Sequence, residues 1–447
     1  MLFQPPQSGK ALAVFSAEHE LQCLLDVEAA LARAEARCGI VPASAAETIV
    51  AHCQAGLFEP ASLAAASTRS GNIAIPLVRQ LTRKVAASDP AAAGFVHWGA
   101  TSQDIIDTGL ILQLRAFLEL MEATLGELSQ TLAGLIEKHA ATIMAGRTWM
   151  QQAVPITFGL KLAGSLDASL RHRERLRELR PRVLALQFGG AAGTLASLGK
   201  NGLDVASVLA VDLGLSAAAP WHTQRDRIVE AGSFCALVMT TAGKLARDLS
   251  LLAQTEVCEA AEPEAEGTGG SSTMPHKRNP VALASILTTA TRIPGLLATL
   301  HTAASTQEHE RGLGGWPAEW TVLPEICVAT HSALETLGYV LDGLKVNPDA
   351  MRRNLDASGG LLLAEAVSMA LAEVLGKSEA HEIIQQLAKR AVETGVSFEA
   401  VLSRDPRIQR HLSTETLKQL LEPGNYLGSA HAILQRVLAA YRAQEGR

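Results

Sequence analysis

Apolar residues recur along this chain at helical spacing. Leu21, Leu24, Leu25 and Leu31 line one face of a helix near the start, and Ser44 with Glu47 three places on has the capping-box pattern that opens the next. Beyond Asp104 the pattern lengthens. Leu114, Leu118, Met121, Leu125, Leu128, Leu132 and Leu135 advance alternately by four and three, the seam of one long helix packed against others. Phe234, Leu237, Thr241, Leu245, Leu249 and Leu252 mark a second long stretch that ends near Pro263, and a third runs from about Val154 to Pro181. Asn347–Pro348 has the form of an N-cap followed by proline at the first helical position. Gly359–Gly360 then breaks the chain, and short helices separated by Gly376, Pro406 and Pro423–Gly424 follow. Seams of this length need helical partners. The expectation is an all-α chain with a helical domain over residues 1–105, a central long-helix bundle over 106–356, and a small helical domain over 357–447.

Composition narrows the picture further. Hydrophobic residues make up 48% but aromatic ones only 4%, a mixture that suits closely packed helices better than sheets. A net charge of −6, with no aromatic-basic stripe, argues against nucleic acid as a partner. The densest charge run, Arg171 to Arg180, interleaves glutamates and reads as a solvated or intersubunit helix face. Six cysteines show no metal-ligand spacing, the glycines of 189–201 fit neither a dinucleotide fingerprint nor a P-loop, and His381–Glu382 lacks a second histidine one turn on. No metal and no cofactor is expected. Neither a secretory leader pattern nor a charge-free apolar run of membrane length is seen, so a soluble, cytoplasmic protein is expected, with no membrane partner.

The segment from Gly269 to Pro280, Gly-Gly-Ser-Ser-Thr-Met-Pro-His-Lys-Arg-Asn-Pro, carries the most chemistry. A glycine entry, two hydroxyls, a lysine and an arginine follow an acidic stretch that contains Glu256, Glu259, Glu262 and Glu264. Asn279–Pro280 reads as an N-cap with proline at the first helical position, which would aim backbone N–H groups and a helix dipole at the loop. Such a loop suits an anion whose charge grows during reaction.

Gly270, Ser271, Ser272, Met274, Pro275, Lys277, Asn279 and Pro280 resemble, with one fewer spacer residue, the signature loop of the fumarase/aspartase superfamily. His97–Trp98–Gly99–Ala100–Thr101–Ser102–Gln103–Asp104 and Gly146 through Pro155 resemble its other two regions, in the expected order. Trp221 to Arg227 and Gln307 to Arg311 resemble most the branch whose members lactonise carboxymuconates, and the likeness covers nearly the whole chain. It implies the same three-part layout, and a homotetramer whose active sites combine motifs from three subunits. The implied substrate is a small polycarboxylate.

Members of the superfamily eliminate or add a group β to a carboxylate, through a carbanion delocalised onto that carboxylate. A proton must be moved at carbon and the extra charge must be stabilised. The resemblance implies that Ser271 moves the proton, with Lys277 favouring its alkoxide and, with Asn279, holding a carboxylate. Thr101 and Ser102 with His97 would form a second anion-binding corner, and Thr148 with Gln151, next to Arg147, a third. The residues alone leave alternatives open. Thr101–Ser102 and Asn279 can simply cap helices, and His97 can be structural. Arg311, like Arg225 and Arg227, fits either an extra substrate carboxylate or an intersubunit ion pair. Trp149 is the informative departure, because superfamily lyases that expel an amine carry histidine there. A carboxylate, whose acid has a pKa of about 4, leaves or attacks without a proton. Trp149 therefore fits intramolecular addition of a carboxylate to a double bond in aromatic-compound catabolism. The alternatives are an adenylosuccinate-type lyase and a non-catalytic protein on the same scaffold.

Overall fold

The computed structural model describes residues 7–264, 269–270, 273–274 and 276–446. Long helices dominate: Ser102–Lys138, Phe158–Val183, Asp226–Leu252, Val281–Ser305 and Gly315–Asp342. By backbone packing the chain divides into two compact units. The first holds Met1–Gly126, His172–Gly243 and Ser285–Thr336, and the second holds Glu127–Arg171, Lys244–Ala284 and Leu337–Arg447. The expected boundary at 105/106 falls inside the Ser102–Lys138 helix, and that at 356/357 at the end of the Pro348–Asp356 helix.

Within the first unit, Leu114, Leu118, Met121 and Leu125 are buried, as are Phe234, Val238 and Met239, Ile293 and Leu300, and Leu323 and Ile326. Each such side chain is worth roughly 1.5–3 kcal/mol of transfer free energy before entropy is subtracted. Gly232 shows how closely these helices approach, since a Cβ there would stand 2.7 Å from Leu300 Cδ1. In the second unit the seam continues through Leu128 and Leu132 beside buried Phe158, Leu162, Leu166, Leu245 and Leu249. A separate apolar cluster (Val367, Leu371, Ile384, Leu387, Phe398, Leu402 and Ile408 among its members) gives the C-terminal helices their own core.

Several expectations need correction. The all-α class is not among them, since the strands among the described residues form only two small antiparallel ribbons, Ile143–Thr148 with Gln151–Thr157 and Ala260–Ala261 with Lys345–Val346. Val154 accordingly lies in a strand, the third long helix starts at Phe158, and it passes through Pro181 to Val183. The helix runs only two residues past this proline. The second long helix ends at Leu252 rather than near Pro263, and Leu237 is exposed, because the buried face runs through Cys235, Val238, Met239 and Ala242 instead. No capping box forms at Ser44: the helix begins at Ala43 behind Pro42, with no side-chain cap. Asn347 does cap its helix, accepting from Ala350 N at 3.1 Å. Among the described residues, Asp226–Leu252 and Val281–Ser305 are long and apolar enough to cross a membrane by length and composition, which the sequence reading did not register.

Candidate active site

In the first unit the candidate residues gather at the start of the Ser102–Lys138 helix. Asp104, in its first turn and fully buried, accepts from Thr101 N at 3.0 Å and Gly190 N at 2.9 Å on one oxygen. Its other oxygen accepts from Gly189 N at 2.9 Å and Gln187 Nε2 at 3.0 Å, with His222 Nε2 at 3.2 Å. A carboxylate at a helix N-terminus is favoured by the dipole, and this one ties three chain segments to it. Gly190 is required, since its φ is +66° and a Cβ there would lie 3.2 Å from Gly99 O.

Arg311 closes the corner. It donates to Thr101 Oγ1 at 2.9 Å, Gln103 Oε1 at 3.2 Å and Ala191 O at 3.1 Å. The Thr101 hydroxyl is thus an acceptor for Arg311, which leaves its own proton available to an incoming oxygen. It does not cap the helix here; Asp104 takes the Thr101 N–H instead. Ser102 opens the helix beside it, half-exposed. His97, four residues before Thr101, has a left-handed backbone with φ +60° and places Nδ1 2.7 Å from Glu28 Oε1.

Arg225 neither faces a ligand nor reaches the surface. It is 2% exposed and bound on both sides, by Asp107 (2.6 and 3.0 Å) and by Glu319 (2.5 to 3.1 Å). Trp316 Nε1 and Gln103 Nε2 complete the Asp107 carboxylate at 2.9 and 3.0 Å. Burial opposes the Arg225 charge, but Asp107 and Glu319 outweigh it and raise its pKa further. Both earlier readings of Arg225, substrate contact and intersubunit pair, give way to an internal ion cluster. Arg227 donates to Arg182 O at the surface.

In the second unit, Arg147 and Thr148 end one strand of the 143–157 ribbon and Gln151 begins the other, with Thr148 opposite Gln151. The two-residue tip is Trp149–Met150, with φ of 51° and 64°. Such turns favour Asn and Gly because both positions are left-handed. Trp149 is 98% and Met150 70% exposed, so within this chain Trp149 lines nothing. Arg147 is committed to Glu259 through two bonds of 2.8 and 2.6 Å, and Asn354 braces Glu259 Oε1 at 2.8 Å.

The signature segment is held at its base by Asn279 N donating to Gly269 O at 2.8 Å. Ser271, the expected proton-transfer residue, lies outside the described residues, as do Ser272 and Pro275. Lys277 is exposed and Asn279 half-exposed. The Val281–Ser305 helix is not capped by the Asn279 side chain. The Glu262 carboxylate accepts from Ala282 N at 3.2 Å and Leu283 N at 2.5 Å, so the helix end expected to face an outside anion already holds an internal one.

The family model for Lyase matches residues 7–295, and that for Adenylosuccinate lyase C-terminus matches residues 360–437. The chain belongs to the fumarase/aspartase superfamily of lyases. A 3-carboxy-cis,cis-muconate cycloisomerase of Pseudomonas aeruginosa is 54% identical, over 96% of this chain and 94% of that one. The crystal structure of the 3-carboxy-cis,cis-muconate lactonizing enzyme from Pseudomonas putida superposes with a TM-score of 0.93 at 49% identity, covering 98% of each chain. More distantly, the nitrosuccinate lyase of Streptomyces davaonensis is 40% identical over 98% of this chain and 94% of that one. The sequence motifs missed Glu28, Gln187 and Asn354, and showed Glu259 and Glu262 only as part of an acidic stretch, without their partners. Each acts through a fold contact between distant segments, which leaves no local signature.

Proposed function

We propose that this lyase-superfamily chain is a cycloisomerase that lactonises 3-carboxy-cis,cis-muconate, a step in the catabolism of protocatechuate-type aromatic acids in the cytoplasm. The observation that carries the reading is the hairpin tip. From Thr148 to Thr157 the ribbon contains no ionisable side chain, and Trp149 stands where an amine-expelling relative would place its histidine. The 54% and 49% identities to cycloisomerases support the same choice.

In this reading one substrate carboxylate, already ionised at neutral pH, adds through oxygen to a carbon of its own conjugated double bond. The displaced electron pair passes to the neighbouring carboxylate. The Ser271 hydroxyl then delivers its proton to carbon, and the serine regains one from solvent. Nothing leaves, so the enzyme must fold the substrate into a near-attack shape and hold the extra charge. Thr101, Ser102, His97 and Arg311 bind one carboxylate. Lys277 and Asn279 bind the carboxylate that takes up the charge, while Thr148, Trp149 and Gln151 line the third wall. Arg147 contributes by fixing the base of the hairpin through Glu259.

The exposed tip and the apolar Val281–Ser305 helix, little buried within this chain, support a homotetramer whose sites are completed by neighbouring subunits. Two inactive variants test both levels together. Ser271→Ala chains and Thr101→Ala/Ser102→Ala chains, mixed and reassembled, should regain part of the lactonising activity, identified by the lactone ring in the product NMR spectrum. Mixtures that stay inactive, or a fully active monomer, would rule out shared sites.

A further inference from the structure

Glu28 stands apart from the three motif regions, on the Ala17–Arg37 helix, yet it reaches His97 across 69 residues of sequence. Its side chain is 1% exposed; Oε1 meets His97 Nδ1 at 2.7 Å, and Oε2 has no hydrogen-bond partner among the described residues. A carboxylate in such a place is costly unless its partner is charged. His97 carries a cost of its own, since a left-handed backbone strains a residue other than glycine by about 1 kcal/mol or more. Its ring is largely buried but not sealed, at 17% exposure. With Nδ1 turned inward to Glu28, the opposite ring nitrogen faces away from the buried carboxylate.

We propose that Glu28 is a positioning residue, which fixes the His97 ring and charge so that Nε2–H is presented to a substrate carboxylate beside Thr101 and Arg311. The electrostatics agree. Burial alone would lower the His97 pKa, but the Glu28 charge and hydrogen bond, with Asp104 from the Ser102–Lys138 helix, outweigh it and raise the value. The other acid near this face, Glu35, is pushed up to about 9 by burial and then by Glu28, and is uncharged at neutral pH. His222 faces Asp104 rather than His97. The short, buried contact to Glu28 thus favours the protonated ring, with Glu28 as its chief counter-charge. A protonated histidine donates from both ring nitrogens, which a neutral one cannot do.

The identity of the substrate rests on the lactonising reading above; the charge of His97 does not. The test therefore has two arms in the full-length protein. The first is an NMR pH titration of histidines labelled at Cε1, with His97 assigned by its loss in His97→Gln. The wild type should titrate above about 6.5 and Glu28→Gln at least tenfold lower in proton affinity, with Glu28→Asp between them. The second measures KM against pH for 3-carboxy-cis,cis-muconate. KM should rise as pH passes the His97 pKa, and Glu28→Gln should move that rise to lower pH by the same interval while kcat changes less. The double variant Glu28→Gln/His97→Gln should bind no worse than His97→Gln alone. An unchanged His97 titration in both Glu28 variants, or additive losses in the double variant, would overturn the proposal. A wild type that does not lactonise the substrate sinks the lactonising reading instead, and calorimetric binding of propane-1,2,3-tricarboxylate then replaces the second arm with the same predicted order of variants.

Discussion

Arg311 donates to the Thr101 hydroxyl at 2.9 Å while two further bonds, to Gln103 and Ala191, fix its guanidinium. One side chain from a loop 210 residues away thereby orients the first hydroxyl of the helix start. Its planar fork meets three acceptors that an ammonium group could not match in direction.

Arg311→Lys should therefore lower kcat/KM nearly as much as Arg311→Ala, by about 10²-fold, with small changes in thermal midpoint. Steady-state kinetics beside thermal denaturation checks this. Near wild-type activity in the lysine variant would show that charge alone is what matters at this corner.

Stability should carry the mark of Glu35. Its carboxyl is buried and raised from the usual range to about 9, first by burial and then by Glu28. In the folded protein it keeps its proton well above the pH at which the unfolded chain releases it. The stabilising contribution is full below about pH 4.5 and is lost progressively as pH rises towards 9. Glu35→Gln, neutral at every pH, should change the midpoint little at pH 5 and raise it by several degrees at pH 8.5. A variant that melts alike with the wild type across that window would contradict the assignment.

The hairpin tip invites a different trade. Met150 occupies a left-handed position with φ 64° and is 70% exposed. Met150→Gly should relieve strain of about 1 kcal/mol and stabilise the isolated ribbon, visible as slower amide exchange at Ala145 and Gln152. Activity should fall, because a looser tip places Trp149 less well. A glycine variant with faster exchange would show that the turn is not strained.

Much of this was legible in the sequence. The alternating four-three seam from Leu114 to Leu132 is buried as its spacing requires, and the Asn347 cap forms. The third helical stretch is expected from about Val154, but residues 154–157 end the 143–157 ribbon, because so few residues satisfy either period and only the Trp149–Met150 turn decides between them. Leu237 failed for a related reason: a heptad template drifts from the 3.6-residue turn, and the buried stripe moved to Val238 and Met239. Arg225 could not be placed from sequence, since its partners Asp107 and Glu319 lie 118 and 94 residues away. Asn279–Pro280 had the right form for a cap, yet Glu262 took the helix end, a carboxylate being the stronger acceptor at a positive dipole.

The central claim is that Trp149 belongs to a site needing no leaving-group acid. Its most direct test is one assay run on wild type and Trp149→His, following diene absorbance with 3-carboxy-cis,cis-muconate and fumarate release with adenylosuccinate. The wild type should consume the diene and leave adenylosuccinate intact, and Trp149→His should lactonise more slowly, having lost an apolar wall and gained nothing the attacking carboxylate can use. Cleavage of adenylosuccinate by the wild type, with the carboxymuconate diene unchanged, would contradict it.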